Sequence, residues 1–289
     1  MTGSLLDVCL ALLLIGAAAG TIVGADTVET DRPVSASRAS QTAETLAAST
    51  ATVQYDLVAE RGGARGEEQS PSPEARRVAH ATLAEHLARA AVRSATVDGT
   101  RPTTTAADYR RSVRETVAEA VGPRTSVRAG WTPLQCDVSD ASDTTALIEG
   151  AVTVGPDPPA SATVRAARFT VPVGPSFGTA ADGTQGRNLI DHVAAGVTTV
   201  LFPPDRIAAA VRGDPAAADA VTERYRRIGN ALDVDAVAAL DRGGPREANR
   251  ALAAALAERH ETRGLSDGGD ACGVGDANRV TVVVRTWSA

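Results

Sequence analysis

Apolar positions along this chain fall into three patterns, and each predicts a different element. The first is unbroken. From Val8 to Ala25 no charged residue interrupts the sequence, and Leu5 and Leu6 extend the run. At about 1.5 Å of rise per residue, a helix of that length reaches across or nearly across the hydrocarbon of a bilayer. The second pattern alternates. "ATVQYDLV" places Val53, Tyr55 and Leu57 on one face, and "RTSVRAGWT" does the same with Val127, Ala129 and Trp131. "TALIEGAVTV", "ATVRAARFTVPV" and the C-terminal "NRVTVVVRTWSA" complete a set of strands.

The third pattern has helical period. Glu74–Thr96 reads as one helix with His80, Leu83, Leu87 and Ala91 on a stripe. Ala106–Val121 is another, with Tyr109, Val113 and Val117 inward and Gly122-Pro123 as its stop. Asn188–Leu201 carries Ile190, Val193, Val197 and Val200, and Pro203-Pro204 is read as its end. Asp214-Pro215 opens a helix through Val221, Tyr225, Ile228 and Leu232, and Gly244-Pro245 opens the last, through Ala248, Leu252 and Leu256. The polar, Gly- and Pro-rich stretches Glu60–Pro73 and Gly174–Gly186 are loops.

The order lacks a regular βαβ alternation, so the expected class is α+β: a single N-terminal transmembrane helix and then a mixed helix/sheet domain. The boundaries expected are residues 1–25 for the anchor or signal-like helix, 26–42 for a polar linker and 43–289 for one extracytoplasmic domain.

Composition refines this. Hydrophobic residues make up 43% of the 289-residue chain but aromatics only 3%, so the core must be built from small side chains. All 29 basic residues are Arg, and the net charge is −6. That balance suits a GC-rich, halophilic source, in which an acidic surface preserves solubility. With the bases scattered rather than clustered, nucleic acid is not an expected partner.

The N-terminal run has three readings. Small residues at Val23-Gly24-Ala25 would suit removal by a signal peptidase, but no Arg or Lys precedes the apolar run. A retained anchor, with the large domain translocated, is the expected topology, and membrane lipid is then the first partner. Gly16 and Gly20 would let a second helix approach closely. Asp7, an acid at the start of an apolar helix, resembles the register-setting acid of type IV pilin-like subunits, with Gly3 and Ser4 flanking a processing site; the basic residue usual before that cut is missing.

Cys9 lies in the apolar run. If the domain is outside the cell, Cys136 and Cys272 are the available disulfide pair; the competing reading is two unrelated buried thiols.

Catalytic chemistry is not marked. His80 and His86 lie six positions apart on one expected helix, wrong for a shared metal, and His80 is expected in or beside the core. Asp191-His192 are adjacent, so they face different sides of a helix and do not form a triad pair. His260 stands alone, and no HExxH, CxxC or phosphate-loop motif occurs. Glu67-Glu68 and the acids of Asp137–Asp143 lack calcium-loop spacing. No catalytic residue, metal or cofactor is therefore assigned.

An N-terminal apolar helix with an early acid, an Ala/Thr/Val-rich α+β domain, "LFPP" at Leu201–Pro204 and "VVVRTW" at Val282–Trp287 together resemble uncharacterised haloarchaeal membrane proteins associated with Tad-type pilus and secretion loci. The resemblance implies a non-enzymatic, pilin-like or pilus-associated assembly subunit, joined to other pilus or secretion subunits through its N-terminal helix. An exported or anchored binding protein unrelated to pili is the alternative, and an unrecognised hydrolase is the third reading.

Overall fold

The computed structural model describes residues 37–56, 76–136, 147–174, 187–213, 215–266, 272–274 and 277–288. The chain divides into two units, Met1–Ser35 and Ala36–Ala289. The first lies outside the described residues, and with it Asp7, Gly16, Gly20 and the expected membrane helix. Among the described residues no helix is long and apolar enough to cross a membrane. The second unit mixes helix and sheet, as α+β patterning requires.

The unit opens earlier than residue 43. Helix α1 (Arg38–Ala48) begins inside the expected linker because Ser37 caps it, its hydroxyl accepting from the Ser40 N–H at 3.2 Å. Strand β1 (Thr50–Asp56) pairs antiparallel with β2 (Arg76–Thr82) in a two-stranded sheet.

Strand β2 corrects the long helix expected over Glu74–Thr96. The first part is extended, and α2 (Leu83–Ser94) starts only after Thr82. The reason is a capping box: Thr82 Oγ1 accepts from Glu85 N–H, and the Glu85 carboxylate accepts from Thr82 N–H, each at 3.1 Å. His80 is therefore not a core residue. It is exposed on β2 and hydrogen-bonds Thr52 at 2.9 Å, whereas His86 on α2 is fully buried.

After β3 (Thr96–Val97) comes α3 (Ala107–Ala120), then β4 (Thr125–Cys136), β5 (Ile148–Val154) and β6 (Val164–Pro172). Helices α4 (Arg187–Leu201), α5 (Pro204–Gly213), α6 (Pro215–Ala231) and α7 (Ala236–Ser266) follow, and β7 (Cys272–Val274) and β8 (Arg279–Trp287) close the chain. Pro203-Pro204 ends α4 as expected, yet Pro204 also opens α5, because a proline at the first helical position loses no needed donor. Helix α7 is two helices meeting at Gly244, whose φ of +71° only glycine adopts readily, with Pro245 next.

The larger sheet is antiparallel, in the order β3-β5-β4-β8-β6, with β7 also on β4. Strand β4 pairs with β8 through Gly130 and with β7 from Leu134 onward, and its ladder with β5 shifts register between Trp131 and Leu134. Pro133, which has no N–H to donate, sits in that break.

Alternation along β8 buries Val280, Val282 and Val284 and leaves Arg279 and Arg285 exposed. Helix α2 lies across β5, β4, β8 and β6, with α1 beside it over β8 and β6. Small residues set the spacing: Ala84, Ala88, Ala90, Ala91 and Ala95 are all buried, and a Cβ on Gly150 would stand 2.3 Å from the Ala91 carbonyl oxygen. A core poor in aromatics is thus close-packed by letting helix and sheet backbones approach. Helices α5 and α6 pack on α7, which also packs on α4.

Candidate functional site

Where α2 meets the α4–α6 region, the elements leave a cleft of about 330 Å³, near the lower end of the range of small-ligand sites. Its charged side chains among the described residues are Arg89 and Arg93 from α2, Arg206 from α5 and Arg224 from α6, with no carboxylate among them. In a chain of net charge −6, this is a local reversal of sign.

The segment "LFPP" forms one wall. Leu201 O, a free carbonyl at the end of α4, accepts from Arg224 Nη2 at 2.6 Å, satisfying a group that the helix itself cannot. The buried Phe202 ring stacks on Tyr225 with centroids 4.6 Å apart and has the Arg224 guanidinium 5.2 Å from its centre. Phe202 O accepts from Asn249 Nδ2 at 2.8 Å, while Asn249 Oδ1 accepts from the Tyr225 hydroxyl at 2.7 Å. Burial raises the Tyr225 pKa, so this hydroxyl stays a donor. The network locks the turn between α4 and α5 and, through it, Leu201 and Pro203 in the cleft wall.

Arg224 is half-buried, but its Nε is sealed from solvent without a hydrogen-bond partner. Burial pushes its pKa down, and the like charge of Arg93 adds to this. Arg93 sits over Tyr109 at 4.3 Å and Tyr55 at 5.5 Å, held by ring faces rather than by an acid. Two guanidinium groups that repel each other in a partly apolar cleft favour an anion between them. Arginine keeps its proton at any physiological pH, so these side chains can bind and orient an anion but not shuttle protons.

Beneath Arg93 lies a second buried group. His86 Nε2 is 3.1 Å from Ala51 O, which can only accept, so the proton is on Nε2 and Nδ1 accepts from the Tyr109 hydroxyl at 2.9 Å. Burial holds His86 below its usual pKa and lifts Tyr109 to about 12, against the opposing charge of Arg93. Both ring nitrogens are satisfied, which makes His86 a structural joint of α2, β1 and α3.

The register of β4 against β7 sets Cys136 directly opposite Cys272. Opposed residues of antiparallel strands have Cα atoms about 4.5–5.5 Å apart, inside the range a disulfide spans. Asp191 and His192 are both exposed on α4. Among the described residues no group of three or more His, Cys, Asp or Glu could hold a metal. The acids of Asp137–Asp143, Glu67-Glu68 and residues 175–186 of the expected Gly-rich stretch lie outside the described residues.

The family model described as "Family of unknown function (DUF7284)" matches residues 6–287. The chain belongs to the DUF7284 family. Its matched range starts at Leu6, within the apolar run, and ends at Trp287 on β8, so the DUF7284 unit takes in the apolar run, the cysteine pair and every arginine of the cleft. No curated protein and no solved structure matches the chain.

Proposed function

We propose that this DUF7284 protein is a membrane-anchored, non-enzymatic surface protein whose domain lies outside the cytoplasm. The observation that carries the reading is the pairing of Cys136 with Cys272 across β4 and β7. Disulfides persist in oxidising compartments, and a bridge here would join strands far apart in sequence. The apolar run that precedes the domain supplies the tether, and the family match spans both. A binding role is supported by a cleft whose charged groups among the described residues are arginines.

Two roles fit an anchored domain. In the first, the protein is a pilin-like or pilus-associated subunit of a haloarchaeal secretion system, assembling through its N-terminal helix with Asp7 paired to a neighbouring subunit and Gly16 and Gly20 at the helix contact. Asp7→Ala should then leave membrane insertion intact and reduce recovery of partner subunits; unchanged recovery would remove Asp7 from assembly. In the second, favoured by the arginine cleft, it is an anchored binding protein. The shared claim is tested by protease treatment of intact cells followed by membrane fractionation. The domain should be digested from outside, and the protein in untreated cells should resist salt extraction. A protected domain, or a soluble chain beginning at Asp26, would overturn it.

A further inference from the structure

We propose that the arginine-lined cleft binds a carboxylate carried on a compact apolar body, either a free organic acid or the C-terminal residue of a peptide. The inference goes beyond the surface-protein reading and does not depend on the anchor.

Four arginines supply the charge. Arg224 and Arg206 have no ion-pair partner among the described residues, Arg93 has only aromatic faces, and Arg89 reaches Glu85 at 3.8 Å along its own helix. Arg224 is the strongest element. It is anchored by Leu201 O, leaned on Phe202, and left with a sealed Nε that no acceptor satisfies. Desolvated guanidinium groups without a counter-ion are costly, and a bound anion offsets that cost. A planar carboxylate matches the guanidinium fork with two parallel hydrogen bonds.

The remaining wall selects the body of the ligand. Val173, Val200, Ile207 and Val221 face the same cleft. A phosphate would leave such a wall uncovered, and nothing in the lining among the described residues resembles a phosphate cradle. Among the described residues, the helix start in the wall is that of α5, where neither Pro203 nor Pro204 has an N–H to offer a phosphate. Charge at one side and aliphatic surface at the other describe an amphipathic acid. A cleft of about 330 Å³ limits it to a small one.

The test is titration calorimetry on the full chain in an uncharged detergent. The probes are 4-methylpentanoate and its amide, a blocked tetrapeptide ending in a free leucine carboxylate and its amide, and inorganic phosphate. Binding of either carboxylate with a dissociation constant below about 1 mM is expected, with the matching amide and phosphate at least about tenfold weaker. Whichever carboxylate binds identifies the source. Arg206→Gln, at an exposed position, should weaken binding about tenfold without changing the thermal transition. Arg224→Gln should abolish it, and a circular dichroism spectrum like that of the parent shows that the fold is retained. Phosphate binding as tightly as the acids would overturn the carboxylate assignment and leave an anion site standing. Equal binding of acid and amide, or no binding of any probe, would overturn the site altogether. All of these outcomes leave the anchored, extracytoplasmic reading untouched.

Discussion

Removing one hydroxyl, in Tyr109→Phe, tests whether the buried His86–Tyr109 pair holds the N-terminal third of the domain together. The Phe ring keeps the volume of the parent and still offers Arg93 an aromatic face, so packing is almost unchanged. What disappears is the 2.9 Å hydrogen bond to His86 Nδ1, on a side chain with no exposed surface. Nδ1 is then a buried acceptor without a donor. Such an orphan costs about 1–3 kcal/mol, more than the roughly 1 kcal/mol a hydrogen bond contributes net. For a domain of this size, ~2 kcal/mol corresponds to a melting temperature lower by roughly 4–8 °C. Thermal melts and urea titrations at pH 8 read the effect, with the slope of the urea transition unchanged. The pH dependence adds a second reading. Burial lowers the His86 pKa in the folded state, so above the unfolded-state value near 6.5 the neutral ring costs nothing extra. As pH falls below about 6.5, the unfolded chain takes up the proton first and stability declines, until the folded pKa is reached. His260, also buried and shifted downward, contributes in the same direction. A loss below about 0.5 kcal/mol at pH 8, or a stability that rises between pH 7 and 5, would refute the reasoning.

Other expectations follow from the same packing. Gly150→Ala places a methyl group 2.3 Å from the Ala91 carbonyl oxygen and should cost about 1–3 kcal/mol in a urea titration, whereas Gly130→Ala, with nothing within 4 Å, should cost far less. Thr82→Ala removes half of the capping box and should cost about 1 kcal/mol, read by circular dichroism melts. Arg259 joins Asp98 at 3.5 Å and Asp233 at 3.0 Å; its replacement by Met should cost no more than about 1 kcal/mol, and the difference from the parent should shrink in high salt.

Most strands were legible because alternation survives wherever one sheet face is covered, as in β5 and β8. The misreading of β2 shows the limit of periodicity. His80 fits both a helical stripe with Leu83 and Leu87 and an extended strand, and the deciding signal is local: Thr82 three residues before Glu85. Pro203-Pro204 signals the end of α4, but proline at the first turn also starts a helix, as Pro204 does in α5. The cysteine pair could be proposed from the count of cysteines, yet only the β4–β7 register sets the two opposite each other. The arginine cleft carried no local signature, because its charges come from α2, α5 and α6 and are brought together by tertiary packing.

Intact-mass analysis of the protein purified from native membranes, alkylated with and without prior reduction, reads both the anchor and the disulfide. The expected species retains Leu5–Ala25 and takes up one label at Cys9 before reduction and three after it. Three labels before reduction, or a chain beginning at Asp26, would contradict it.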